Sequence, residues 1–129
     1  MVRQRWYRPK KQRPYHRLRV WQSAKKLALL IYRVTGAFPK SELYGLVSQL
    51  RRASTSVVSN IAEGSARGSD RDFLRFLFMA RGSLNEIDTQ LHIADELGYL
   101  DDARIGALRR TFDETSALLQ GLINRLKTT

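Results

Sequence analysis

Apolar residues recur at steps of three and four through residues 41–67. Leu43, Leu46, Leu50, Ala53, Val57 and Ile61 draw one stripe, the period of an amphipathic helix. Beside it runs a second line, Gln49, Arg52, Ser56, Asn60 and Glu63, polar but equally regular. A freely solvated face would be looser and richer in Lys and Glu. The second line therefore predicts a partly buried seam of hydrogen bonds, in which Gln49 or Arg52 bonds Asn60, Glu63 or Glu86, within the fold or across a subunit contact. Ser41 is the expected N-cap and Glu42 suits the first turn. Gly64 and Gly68 mark the end. A helix of about 24 residues at about 1.5 Å each would be roughly 36 Å long, and every other segment needs it as a neighbour.

Three further helices follow from the same period. Leu18, Trp21, Ala24, Ala28 and Ile31 place one at about 17–35, with Gly36 as its expected C-terminal cap and Phe38-Pro39 ending any continuation. A third opens at Ser69, which with Asp72 resembles a capping box. Its stripe is Phe73, Phe76, Leu77, Ala80, Leu84, Ile87, Leu91 and Ala94, and it ends at Gly98. Leu74, Phe78, Ile93 and Leu97 lie outside that stripe. This is more apolar surface than a four-helix monomer needs, so a subunit interface is expected. Gly82-Ser83 in mid-helix would let a neighbouring helix approach closely. The fourth helix, about 102–126, is capped by Asp101 or Asp102 and carries Ile105, Leu108, Phe112, Leu119, Leu122 and Leu126, with Thr115 in an apolar slot. No strand signal competes. Four helices with short connections predict an all-α, antiparallel up-down-up-down four-helix bundle over residues 17–129.

Residues 1–16 are different. Apolar periodicity is missing, and Pro9 and Pro14 break any helix. Charge makes this segment stand out. The chain has 129 residues and a net charge of +11; residues 1–19 hold eight of the 23 basic side chains and no acid, leaving 15 basic and all 12 acidic groups for the remaining 110. A basic N-terminal arm thus precedes a nearly balanced domain. Trp6, Tyr7 and Tyr15 interleave with Arg3, Arg5, Arg8, Lys10, Lys11 and Arg13, a composition suited to phosphate contact with stacking on bases. Arg17 and Arg19 extend it. Cysteine is absent, which fits a reducing, cytoplasmic setting and excludes thiolate chemistry. No apolar run reaches about 18 residues, so neither a membrane span nor a secretory leader is expected.

Several short motifs occur together: Val20-Trp21-Gln22-x-Ala24, Phe38-Pro39-x-x-Glu42-x-Tyr44-Gly45-Leu46, Gln49-Leu50-Arg51-Arg52-Ala53, Asn60-Ile61-Ala62-Glu63-Gly64 and Gly82-Ser83-x-x-Glu86. Over roughly residues 17–126 the chain resembles the four-helix bundle proteins of the 23S ribosomal RNA intervening-sequence family, some of which are encoded inside insertions in 23S ribosomal RNA genes. The resemblance implies an antiparallel bundle assembled into a homo-oligomer, a fivefold ring. It extends to the accessory proteins of diversity-generating retroelements, which share the bundle and bind nucleic acid with a reverse transcriptase.

In such a topology the arm, the turn between the second and third helices and the C-terminus share one end. Arg67, Arg71, Arg75, Arg125 and Lys127 would join the arm there, and Glu42, Asp95, Glu96, Asp101 and Asp102 would lie at the other against Arg33, Lys40 and Arg104, a net of −2. A basic end repeated around a ring would attract phosphate. Chemistry is hard to find. His92 has Asp88, Asp95 and Glu96 nearby in sequence, a pattern of surface ion pairs rather than a metal set. Ser56, Asn60 and Glu63 lack a base positioned for a nucleophile. Gly64-x-x-x-Gly68 lacks the Lys and the preceding strand of a phosphate loop. The expectation is a non-enzymatic, cofactor-free and metal-free oligomer that binds RNA or DNA backbone through the arm and the basic end. The alternative is an oligomeric scaffold or adaptor for a protein partner.

Overall fold

The computed structural model describes residue 6 and residues 13–128, and Arg3, Arg5, Tyr7, Arg8, Lys10 and Lys11 lie outside the described residues. Four helices account for the fold: α1 (Arg19–Thr35), α2 (Ser48–Ser65), α3 (Asp70–Glu96) and α4 (Asp102–Lys127). A 3-10 turn, Pro14–Arg17, leads into α1. Among the described residues there is no strand, and no helix is long and apolar enough to cross a membrane.

The helices pack around one core in which Leu27, Ile31, Leu50, Val57, Ile61, Leu77, Leu84, Ile87, Leu119 and Ile123 are almost wholly inaccessible. Each contributes the transfer free energy of a buried aliphatic side chain, roughly 1.5–3 kcal/mol. Side-chain pairs fix the alignment. Gln49 meets Gln90 at 3.2 Å and Ser56 meets Ser83 at 2.9 Å, so α3 numbers fall as α2 numbers rise. Between α1 and α4, Ser23 meets Thr115 at 2.7 Å. At Gly64 a Cβ would stand 2.7 Å from Phe76 Cβ and 2.9 Å from Phe73 Cδ1. Gly64, in the last turn of α2, which ends at Ser65 as expected, also lets α3 come close.

The helix expected over residues 41–67 is broken at its start. Lys40–Glu42 form a 3-10 turn and Leu43–Val47 a π-turn, with Gly45 at φ −112°, ψ −109°, so α2 proper begins at Ser48. Ser41 is not the N-cap. The Glu42 carboxylate takes that role with one oxygen, accepting from Leu46 N at 3.4 Å, and its other oxygen accepts from the Tyr99 hydroxyl at 2.8 Å. Leu43, in this π-turn, is 48% exposed and does not extend the stripe.

The other ends are simpler. Ser69 caps α3 by accepting from Asp72 N, and Asp101 caps α4 by accepting from Arg104 N at 2.8 Å. Gly98, at φ +79°, closes α3 with Gly98 N bonded to Asp95 O and Tyr99 N to Ala94 O, the paired C-terminal bonds that need a left-handed residue. Gly36, in contrast, is right-handed at φ −61°. Arg51 closes α1 instead, donating from Nε to Thr35 Oγ1 and from Nη2 to the Tyr32 carbonyl, with its guanidinium over the Tyr32 ring. Thr115, unexplained by the apolar pattern, is fully buried and donates to Thr111 O at 2.8 Å. Its one hydrogen is thereby used, so Ser23 donates to Thr115.

Candidate nucleic-acid interface

The described part of the N-terminal segment is pinned to α1. Arg13 N donates to His16 Nδ1, and Gln22 Nε2 donates to His16 O at 2.8 Å. Tyr15, His16 and Trp21 form an aromatic cluster with centroids 4.6–5.4 Å apart, and Lys25 Nζ lies 4.9 Å from the Trp21 ring. Tyr15, expected as a free stacking group, spends one edge on Trp21. Helical structure among the described residues begins at Pro14, within the stretch read as arm. Trp6 is 97% exposed, and Arg13, Arg17 and Arg19 are exposed on the approach to α1.

The expected basic end is internally engaged. Arg67 pairs with Glu63 at 3.0 Å, and Arg75 approaches Asp72 at 3.9 Å. Both guanidinium groups also lie on the buried Phe76 ring, at 4.6 and 4.7 Å. Such exposed pairs contribute little to stability, but they occupy the cations locally. Arg71 is exposed and forms no ion pair among the described residues.

The polar seam divides in three. Gln49 accepts from Gln90 Nε2, while Gln90 Oε1, deeply buried, has no partner in this structure. Asn60 folds back on Ser56, donating to its carbonyl and its hydroxyl, and Ser56 in turn reaches Ser83. Glu63 turns outward to Arg67 rather than along the seam. Arg52 and Glu86 are exposed, with no side-chain hydrogen bond or ion pair among the described residues. Arg51, not Arg52, is the engaged arginine: one helical step carries it onto the α1 terminus, which only the helix pairing reveals.

Two grooves flank α4. On one side Asp88, His92 and Asp95 of α3 face Arg109, Phe112 and Asp113 of α4. His92 Nε2 is 3.6 Å from Asp88, and no group of three His, Cys, Asp or Glu side chains among the described residues could hold a metal. On the other side, Lys26 and Arg33 of α1 face Arg110 and Glu114 of α4. Among the described residues one pKa perturbation is resolved: Tyr99, which lines neither groove, is raised, first by its hydrogen bond to Glu42, then by burial and by the Glu42 charge.

These features define an all-α protein of four helices with a basic leading segment. The 23S rRNA-intervening sequence protein family model matches residues 16–121, and the chain belongs to that family. Among solved structures it is similar to the crystal structure, at 1.70 Å, of a protein of unknown function from the S23 ribosomal protein family of Bacteroides thetaiotaomicron VPI-5482. The two are 22% identical, with a TM-score of 0.71 over 81% of this chain and 97% of that one. At that identity the likeness concerns the fold. No curated protein matches the chain.

Proposed function

We propose that this protein is a non-enzymatic, cytoplasmic, oligomeric four-helix bundle that binds the backbone of RNA or DNA. The observation that carries this reading is the distribution of charge. The first 41 residues hold 12 of the 23 cations and no acid; the first acid is Glu42. Such a segment raises the local concentration of polyanions and binds them with a steep salt dependence. The helix pairings support an antiparallel up-down-up-down topology. Membership of the family supports association into a ring, a pentamer. The exposed Leu43, Tyr44, Ile93 and Leu97 supply apolar surface for a subunit contact.

The test is binding of labelled single-stranded RNA and duplex DNA to the full chain across a KCl series, beside a full-length variant with Arg3, Arg5, Arg8, Lys10 and Lys11 changed to Gln. The expected result is salt-sensitive binding that the variant weakens at least tenfold. Absence of binding by the wild type at low salt contradicts the reading. It would favour the alternative, a scaffold for a protein partner, for which the groove between α3 and α4 offers an apolar floor with an acidic rim.

A further inference from the structure

We propose that the groove between α1 and α4 is a track for the phosphate backbone of a nucleic-acid strand, held by Lys26, Arg33 and Arg110. On this account the groove, not the Arg67–Arg75 end, is where the folded domain itself engages the strand. The proposal rests on the nucleic-acid reading above and names its site.

Geometry comes first. Lys26, Leu30 and Arg33 of α1 and Ala107, Arg110 and Glu114 of α4 line an open groove of about 350 Å³. Lys26 and Arg33 are seven residues apart, hence on one face and about 10 Å apart along the helix. Arg19 lies one further heptad back and is also exposed, so three cations follow a line down α1. Arg110 stands on the opposite wall. The line begins at the N-terminal end of α1, where Arg13 and Arg17 are also exposed.

Charge comes second. No acid occurs anywhere in α1, and Glu114 is the one anion in the groove. Among the described residues, Lys26, Arg33 and Arg110 form no ion pair, and neither does Glu114. Cations gathered without internal partners repel one another, and a mobile anion relieves that repulsion. The Arg67–Arg75 end differs, because Glu63, Asp72 and the Phe76 ring already serve Arg67 and Arg75, leaving Arg71 as its one unpaired cation among the described residues. The floor suits the ligand too: half-buried Leu30 and Ala107 offer apolar contact to sugar and base edges between the charged walls.

The experiment compares two full-length triple variants that remove the same charge. One is Lys26→Gln, Arg33→Gln, Arg110→Gln; the other is Arg67→Gln, Arg71→Gln, Arg75→Gln. Each is titrated into labelled single-stranded RNA and duplex DNA over a KCl series, with thermal melting as a control for folding. All three groove side chains are exposed, so the groove variant is expected to fold. Its salt slope should fall by about 2–3, and its affinity at about 0.1 M salt should drop roughly 100-fold. The end variant should stay within about threefold of wild type. Equal losses in both variants would overturn the proposal, since net charge alone would then govern binding. A groove variant that binds like wild type would overturn it while leaving nucleic-acid binding intact. A wild type that binds neither nucleic acid would overturn the functional reading itself. Should the groove variant melt early, the single change Lys26→Glu on the outer face of α1 gives the same decision, with a loss of roughly tenfold expected.

Discussion

The two grooves beside α4 are built alike and carry opposite charge. To the groove facing α1, α4 gives Arg110 and Glu114; to the groove facing α3, it gives Arg109 and Asp113. Its contribution is one cation and one anion each time. The sign is set by the opposite wall: Lys26 and Arg33 on α1, Asp88 and Asp95 on α3. Charge is thus sorted around the fold, by side. An argument from the ends of the bundle misses this, because it collects residues by height and not by angle. The lesson is that one balanced helix can separate two surfaces of opposite charge, at the same height and a short distance apart.

The strongest way to break this comparison is to make the grooves equal. Lys26→Glu with Arg33→Glu turns the α1 wall into an analogue of the α3 wall. RNA affinity at about 0.1 M salt should then fall by more than roughly 100-fold, measured by fluorescence anisotropy, with the melting temperature little changed because both side chains are exposed.

The next effect is on the joint behind the basic groove. Thr115→Val deletes the acceptor of Ser23 and strands a buried hydroxyl, so chemical denaturation should show a loss of about 1–3 kcal/mol. Adding Ser23→Ala should recover much of that loss, since both partners are then apolar. A double-mutant cycle with no coupling would show that the pair does not hold α1 to α4.

A smaller change sharpens the comparison from the other side. Asp88→Lys with Asp95→Lys should convert the acidic groove into a second basic one and tighten RNA binding by about tenfold. If affinity stayed constant, the shape of the α1 groove would matter more than its charge.

The smallest effect lies at the broken start of the second helix. A tyrosine whose pKa is raised in the fold stabilises it below the unfolded value, about 10, and stops doing so as pH climbs through the folded value. The Tyr99 hydroxyl bonded to Glu42 is such a group. Tyr99→Phe should therefore melt slightly earlier than wild type at neutral pH, and the gap should close above about pH 10. A gap that persisted there would detach the effect from the hydroxyl.

Much of the fold was legible in the sequence because burial imposes the helical period. Leu50, Val57, Ile61, Leu77, Leu84 and Ile87 were placed in the core from spacing alone, and all are almost fully buried. What escaped depends on partners remote in the chain. Glu42 caps the π-turn because Tyr99 reaches it across 57 residues. Thr115 sits in an apolar slot because Ser23, 92 residues away, donates to it. Arg51 meets the end of α1 while Arg52 is exposed, a distinction that spacing along a single helix does not make. Arg19, Lys26 and Arg33 fall on a strict heptad in a helix without acids, a pattern that the sequence alone carries. The second wall, Arg110, becomes visible only when α4 is laid beside α1.

The central claim concerns the side of the fold on which a strand lies. The most direct measurement is hydroxyl-radical footprinting of the wild-type protein with and without saturating single-stranded RNA. Leu30 reports on the basic groove, and Leu91 and Phe112 report on the acidic one. The account predicts that oxidation of Leu30 drops severalfold on RNA addition while Leu91 and Phe112 react as before. Protection of Leu91 and Phe112 with Leu30 unchanged would contradict it.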